Sequence, residues 1–235
     1  MLTAPQNQAQ RLGFLQEKIA TAARAAGRNP GSVTLIGVAK AQPVARLLAA
    51  VDCGLEDIGE NYVQEARTKR AAVLAPATWH MIGGLQRNKV RAAVAVFDWV
   101  HTVDSAPLAG ALAAEAAWGG RRLPVLVQVN PAGEPTRRGV PVEGVEALLQ
   151  AVLAHPSLRL EGLMAIPPPG GSRPHFRAVR EARDHAATRL GVELPHLSMG
   201  MSNDFVVAVE EGATLLRLGR ALFGARGPGA RRPGS

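Results

Sequence analysis

Short apolar runs alternate with longer stretches of helical period along most of the chain. Gln6 to Ala26 reads as an opening helix, because Leu12, Leu15, Ile19 and Ala22 fall near one face. Gly27, Arg28, Asn29 and Pro30 end it. Val33 to Ala39 is rich in apolar and β-branched residues, as a strand buried on both faces should be. Pro43 opens a helix that runs to Asp52, since proline fits a first helical turn. The alternation then predicts strands at Leu55 to Ile58, Thr78 to Ile82, Trp99 to Val103, Val125 to Asn130, Leu158 to Ile166, His196 to Ser198 and Leu215 to Leu218. It predicts helices at Val63 to Leu74, Gln86 to Val96, Ala106 to Trp118, Val142 to Ala154, Pro174 to Leu190 and Asp204 to Glu211. Ala221 to Gly224 starts a closing segment.

Regular alternation of this kind requires parallel strands with right-handed crossovers. Eight such units in 235 residues predict an α/β fold, a single (β/α)8 TIM barrel with an extra N-terminal helix. An open doubly wound sheet would carry a glycine-rich phosphate turn after its first strand. Here that strand ends in Val38-Ala39-Lys40-Ala41-Gln42. Neither a repeat nor a linker divides the chain. Residues 1–227 read as the barrel domain and 228–235 as a disordered Gly/Pro/Arg tail.

Composition removes several function classes. Apolar residues make up 47%, enough for a sizeable core. Cys53 is the only cysteine, so neither an internal disulfide nor a cysteine-based zinc site can form, which suits a reducing cytoplasm. No two histidines have metal-ligand spacing, and no metal is expected. No apolar run approaches the length of a membrane span, and the N-terminus lacks the basic-then-apolar order of a signal peptide. The net charge of +8 comes mainly from arginines scattered through Ala-rich helices. It predicts nonspecific attraction to polyanions and no specific nucleic-acid partner.

Chemistry in a barrel collects at the carboxyl ends of its strands. Those ends present Lys40; Glu60 and Asn61; His80 and Gly83; His101 and Asp104; Asn130; Met164 and Ile166; Ser198 to Asn203; and Arg217, Gly219 and Arg220. Lys40 directly follows an apolar run, so its stem starts inside the barrel mouth. Apolar surroundings lower an amine's pKa and make it a nucleophile able to form a Schiff base with an aldehyde. Taken alone, Lys40 could equally be a lysine reaching for solvent. The run Ser198-Met199-Gly200-Met201-Ser202-Asn203-Asp204 supplies small residues and hydroxyls before a helix, a setting that holds phosphate. Helix capping explains one of those residues but not the Gly-Met-Ser run. Barrels often bind phosphate near the end of the last strand as well, where Arg217-Leu218-Gly219-Arg220 lies.

Taken together these motifs resemble the pyridoxal phosphate homeostasis protein family, whose barrel is that of the alanine racemase N-terminal domain. The matching segments are Val38-Ala39-Lys40, Gly59 to Glu65, Trp79 to Gly83 with Leu85-Gln86 and Asn88-Lys89, Gly162 to Pro167, and Leu197 to Asp204 with Arg217-Leu218-Gly219 and Phe223 to Arg226. The resemblance implies that Lys40 carries pyridoxal 5′-phosphate (PLP) as a Schiff base. It implies that Ser202, with backbone near Gly219 and Arg220, holds the phosphate, and that Arg217 faces the pyridine nitrogen. Asn61, His80, Met164, Ser198 and Asn203 would line the pocket. Two positions depart from the family pattern. Gln42 stands where a second lysine is frequent, which removes shuttling between two lysines, and Arg220 stands where a threonine is usual.

An arginine at the ring nitrogen stays protonated and donates to it, which makes the ring a poor electron sink. The expected role is therefore PLP storage, carriage and supply to PLP-dependent apoenzymes by a cytoplasmic monomer, without strong catalysis. A PLP-dependent amino-acid racemase or lyase is the alternative. Tyr62 is the only tyrosine, and alanine racemase takes its second base from a further domain, which this chain is expected to lack.

Overall fold

In the computed structural model, which describes residues 7–224, eight parallel strands pair in chain order and the last returns to the first. They are β1 (Thr34–Val38), β2 (Asp57–Glu60), β3 (Thr78–Met81), β4 (Trp99–Val103), β5 (Leu123–Val129), β6 (Leu158–Ala165), β7 (His196–Ser198) and β8 (Leu215–Leu218). The helices are α1 (Gln8–Ala25), α2 (Val44–Asp52), α3 (Val63–Ala72), α4 (Val90–Val96), α5 (Ala106–Trp118), α6 (Val145–Leu153), α7 (Ser172–Leu190), α8 (Phe205–Glu210) and α9 (Arg220–Phe223). The fold is the closed (β/α)8 barrel with an extra N-terminal helix. The tail expected at 228–235 lies outside the described residues.

The second strand is displaced from its expected place. Pairing starts at Asp57 opposite Ile36 and ends at Glu60, whereas apolar content had put the strand at Leu55 to Ile58. Leu55 still belongs to the wrap after α2, where its N–H donates to the Ala50 carbonyl across the turn at Gly54. Two predicted helices also begin differently, with tight 3-10 turns at Arg87–Lys89 and Val142–Gly144.

The main core lies between the strands and the surrounding helices. Ile58, Trp79, Phe97, Leu112, Leu149 and Phe176 are fully or almost fully buried there. The barrel lumen holds a smaller apolar cluster of Ile36, Leu126, Met164 and Leu215, with Trp99 and Ile166 at its margins. The rest of the lumen is polar. Outside the barrel, α1 starts in a capping box between Asn7 and Gln10 and buries the predicted face of Leu12, Leu15, Ile19 and Ala22. Gln8 Nε2 donates to the Leu222 carbonyl at 3.2 Å, and Arg28 Nη1, in the turn after α1, to the Val209 carbonyl at 2.7 Å, which ties the first helix and its following turn to α9 and α8.

Gly162 of β6 sets the sharpest steric limit in the sheet. Its φ is +144°, and a Cβ there would lie 1.9 Å from the His196 carbonyl oxygen of the neighbouring strand. Gly133 also has positive φ, +63°, but faces open space. Gly162→Ala should lower stability by about 3 kcal/mol or more, against about 1 kcal/mol for Gly133→Ala. Urea unfolding of both variants measures the difference, and equal midpoints would contradict the close approach.

Candidate functional site

The carboxyl end of β1 turns sharply at Ala39-Lys40-Ala41. Ala41 has φ +57°, a left-handed conformation that costs a residue with a Cβ about 1 kcal/mol. A buried cluster holds this turn. The Ala41 N–H donates to Glu65 Oε1 at 2.7 Å. Lys69 Nζ, on a side chain only 3% exposed, donates to the Ala39 carbonyl at 2.5 Å and to Glu60 Oε1 and Glu65 Oε1 at 2.6 Å each. Burial pushes the Glu60 carboxyl up to about 7, against the opposing pull of the Lys69 ammonium. The backbone on both sides of Lys40 is thus fixed by side chains of α3 and β2. Lys40 is half-buried, with Nζ 6.0 Å from the centre of the Tyr62 ring. Gln42 is buried and accepts from Arg46 Nη1 at 3.1 Å.

The end of β8 meets this turn across the barrel seam. Arg217 is buried, with Nη1 donating to the Ser198 carbonyl at 2.6 Å and to Ser198 Oγ at 2.7 Å, and Nη2 to the Ala165 carbonyl at 2.9 Å. Burial lowers its guanidinium to about 10, so it remains cationic at neutral pH. Ser202 Oγ accepts from the Ala221 N–H at 3.0 Å, which leaves its own hydrogen available to an anion. Asn203 Oδ1 accepts from Arg220 Nη2 at 2.9 Å and steadies that guanidinium at the rim. Gly200, with φ +93°, is required in the preceding turn: a Cβ there would lie 2.5 Å from the Ala208 side chain.

Lys40, Asn61, Ser202, Asn203, Arg217, Gly219 and Arg220 all line one cavity of about 1200 Å³ at the barrel mouth. The loop from Ile166 to Gly171 and the first residues of α7, Ser172 and Arg173, form another wall. Three of the expected lining residues do not reach this cavity. His80, Met164 and Ser198 are buried in the lumen beneath it. Their side chains point inward one layer below the strand ends: His80 and Ser198 hydrogen-bond within the lumen, and Met164 joins its apolar cluster. Sequence reasoning missed the supports. Glu65 and Lys69 have the spacing of an ordinary surface pair on a helix, Asp57 carried no motif, and His101 stood out only as one polar strand end among several. Among the described residues, no group of histidine, cysteine, aspartate and glutamate could hold a metal ion. No helix among them is long and apolar enough to cross a membrane.

The alanine racemase N-terminal domain model matches residues 10–227. A pyridoxal phosphate homeostasis protein of Pseudomonas aeruginosa is 43% identical over 223 residues, covering 94% of this chain and 97% of that one. One of Aquifex aeolicus is 40% identical over 225 residues, covering 94% and 99%. The chain belongs to the pyridoxal phosphate homeostasis protein family. A solved structure of PipY from Synechococcus elongatus with PLP bound superposes with a TM-score of 0.82 at 36% identity, covering 92% of this chain and all of that one. Alanine racemase from Corynebacterium glutamicum shares the fold at a TM-score of 0.66 and 19% identity, covering 95% of this chain and 64% of its own.

His101, in the lumen of this family member, gives the site a definite pH response. Burial above all, then the charges of His80, Arg217 and His196, holds it well below its ordinary value of 6.5. The folded protein keeps it neutral while the unfolded chain takes up a proton below that pH. Its contribution to stability is therefore complete above pH 6.5 and is lost as pH falls further. One such proton is worth about 1.4 kcal/mol per pH unit. His101→Gln should flatten the fall in urea midpoint between about pH 7 and about pH 5 by up to that slope, and an unchanged slope would place the proton elsewhere.

Proposed function

We propose that this chain binds pyridoxal 5′-phosphate through a Schiff base on Lys40 and serves homeostasis of that cofactor: storage, carriage and supply to PLP-dependent apoenzymes. One observation carries this reading. A strand-end amine, a hydroxyl with a free hydrogen beside the end of β8, and a buried cationic arginine share a single cavity. Those features fit the aldehyde, the phosphate and the ring nitrogen of PLP respectively. The names of the relatives and the PLP-bound PipY support the same ligand. When bound, the cofactor supplies an aldehyde that joins reversibly to amines. Ser202 and Arg220 would hold its phosphate, Arg217 would hold the ring nitrogen unprotonated, and Asn61 would flank the ring. The exposed Cys53 is compatible with work in a reducing cytoplasm. We take the acting unit to be a monomer.

The side chains around the cavity favour holding over catalysis. Among the described lining residues Asp204 is the only carboxylate, and none is a histidine, tyrosine or cysteine. Asp204 is already engaged, accepting from the Met201 N–H at 2.7 Å and from Ser172 Oγ at 2.9 Å. Tyr62 sits beside Lys40 rather than across the cavity from it. A second base opposite Lys40, which racemisation needs, is not among the described lining residues. The cavity also exceeds the roughly 300–1,000 Å³ of an ordinary small-molecule pocket. That room suits an open mouth where cofactor is exchanged.

Lys40→Ala should remove the visible absorbance of the bound cofactor while leaving the circular dichroism of a folded barrel. Borohydride treatment of the unaltered protein should fix the label on Lys40 in a peptide map, and label on Lys69 or Lys89 instead would sink the assignment. Ser202→Ala should weaken PLP binding by about 1–3 kcal/mol, the scale of a hydrogen bond to a charged acceptor. Pyridoxal without phosphate should scarcely respond, and equal losses for the two ligands would refute the phosphate role. In deuterium oxide, L-alanine, L-serine and L-lysine should exchange their α-protons far more slowly than the roughly 1 s⁻¹ of a slow enzyme. Faster exchange with accumulating D-isomer would promote the racemase alternative.

A further inference from the structure

We propose that Asp57, at the opposite end of the barrel from the cavity, is a positioning residue for Arg217, acting through a one-way file of hydrogen bonds across the lumen. The proposal rests on the reading that Arg217 faces the ring nitrogen of bound PLP. Five strands contribute one member each. Asp57 Oδ1 of β2 lies 2.8 Å from His80 Nε2 of β3, and His80 Nδ1 lies 3.0 Å from His101 Nε2 of β4. His101 Nδ1 lies 2.9 Å from Ser198 Oγ of β7, and Ser198 Oγ lies 2.7 Å from Arg217 Nη1 of β8. His80, His101, Ser198 and Arg217 are all buried, and Asp57 alone is partly open to solvent, at 23%.

The chemistry of the two ends gives the file its direction. An ionised carboxylate can only accept, so the Nε2 of His80 carries the hydrogen. When His80 carries a single ring hydrogen, its Nδ1 accepts, which puts the hydrogen of His101 on Nε2 as well. His101 is neutral, so its Nδ1 accepts, and the Ser198 hydroxyl must donate to it. The lone pairs of Ser198 Oγ are then turned toward Arg217, which can only donate. Every bond points from the guanidinium to the carboxylate. Reversing them would need a second ring hydrogen on His80, so that Nδ1 as well as Nε2 could donate. The indole of Trp99 walls the file, with its centre 5.9 Å from the His80 ring and 6.1 Å from the His101 ring. His196, Arg159 and Glu161 are the other titratable groups around this end of the barrel. The charge of Asp57 thus decides where a hydrogen sits several bonds away, beside the cofactor pocket.

The test uses PLP-loaded protein carrying ¹⁵N-histidine and ¹⁵N in the cofactor ring, observed by NMR in mildly alkaline buffer. In the unaltered protein both His80 and His101 should carry their hydrogen on Nε2, with Nδ1 bare. Hydrogen on Nδ1 of either ring overturns the direction without any variant. Asp57→Asn offers His80 a donor as readily as an acceptor. His101, which does not touch residue 57, should then show mixed tautomers, and the ring nitrogen of PLP should shift. Cofactor loss should quicken about 2- to 10-fold, the scale of one net hydrogen bond. An unmoved His101 tautomer and ring-nitrogen signal in this variant overturn the proposal. Arg217→Gln separates the two levels. If it leaves the ring nitrogen unmoved, the assignment of Arg217 itself falls. If it moves that signal and Asp57→Asn does not, only the file falls.

Discussion

The hydrogen-bonded seam between β1 and β8 joins the first strand of the barrel to the last, from Thr34 opposite Leu215 to Gly37 opposite Leu218. Every feature of the mouth depends on it. The seam sets the Lys40 turn beside Gly219, where even a Cβ would come within 3.4 Å of Val38. It also brings Ser202, Asn203 and Arg220 to the same rim. A parallel barrel makes this juxtaposition without a flexible hinge, because strand ends of the same polarity all open on one face. The bracket of Glu60, Glu65 and Lys69 then fixes the backbone of the Lys40 turn against the strain at Ala41.

The molecule divides its packing between two unlike spaces. Outside the strands, large side chains such as Trp79, Phe97 and Phe176 supply the close-packed core. Inside them, four apolar residues share the lumen with a continuous polar file. A buried polar group is costly unless its partners are complete, so such a lumen survives only when each donor meets an acceptor. Asp57, His80, His101, Ser198 and Arg217 meet that requirement in sequence along the file. The same closure explains why His80 and Ser198 are absent from the wall of the cavity.

Much of the fold was legible because buried parallel strands are nearly uniform apolar runs. The boundaries of β4, β7, β8 and α5 fall where the alternation places them. The failure at β2 has a physical cause. Glu60 is a strand residue buried to 0% exposure, and its charge partner Lys69 lies on α3, so hydropathy assigned it to a loop. The candidate site was legible where residues stand at strand ends, as Lys40, Ser202 and Arg217 do. Its supports were not, because Glu65, Lys69, Asp57 and His101 acquire meaning only from neighbours on other elements. Depth was equally invisible, since only two residues along a strand separate the cavity wall from the inward-facing layer beneath it, as Ile82 is from His80.

The docking of α1 has a consequence for biosynthesis. The first described helix and the turn after it have hydrogen-bonding partners on α9 and α8, through Gln8 to Leu222 and Arg28 to Val209. Most of its packing is against α8 and α9 and cannot form until those helices have been translated. Local structure can form early, yet the contacts that close the mouth join segments at opposite ends of the described chain and must come late. A ribosome-bound chain therefore leaves part of the apolar side of its opening helix uncovered, and lacks a finished mouth, until α9 has been translated. Ligand capture and chain closure become one event in time.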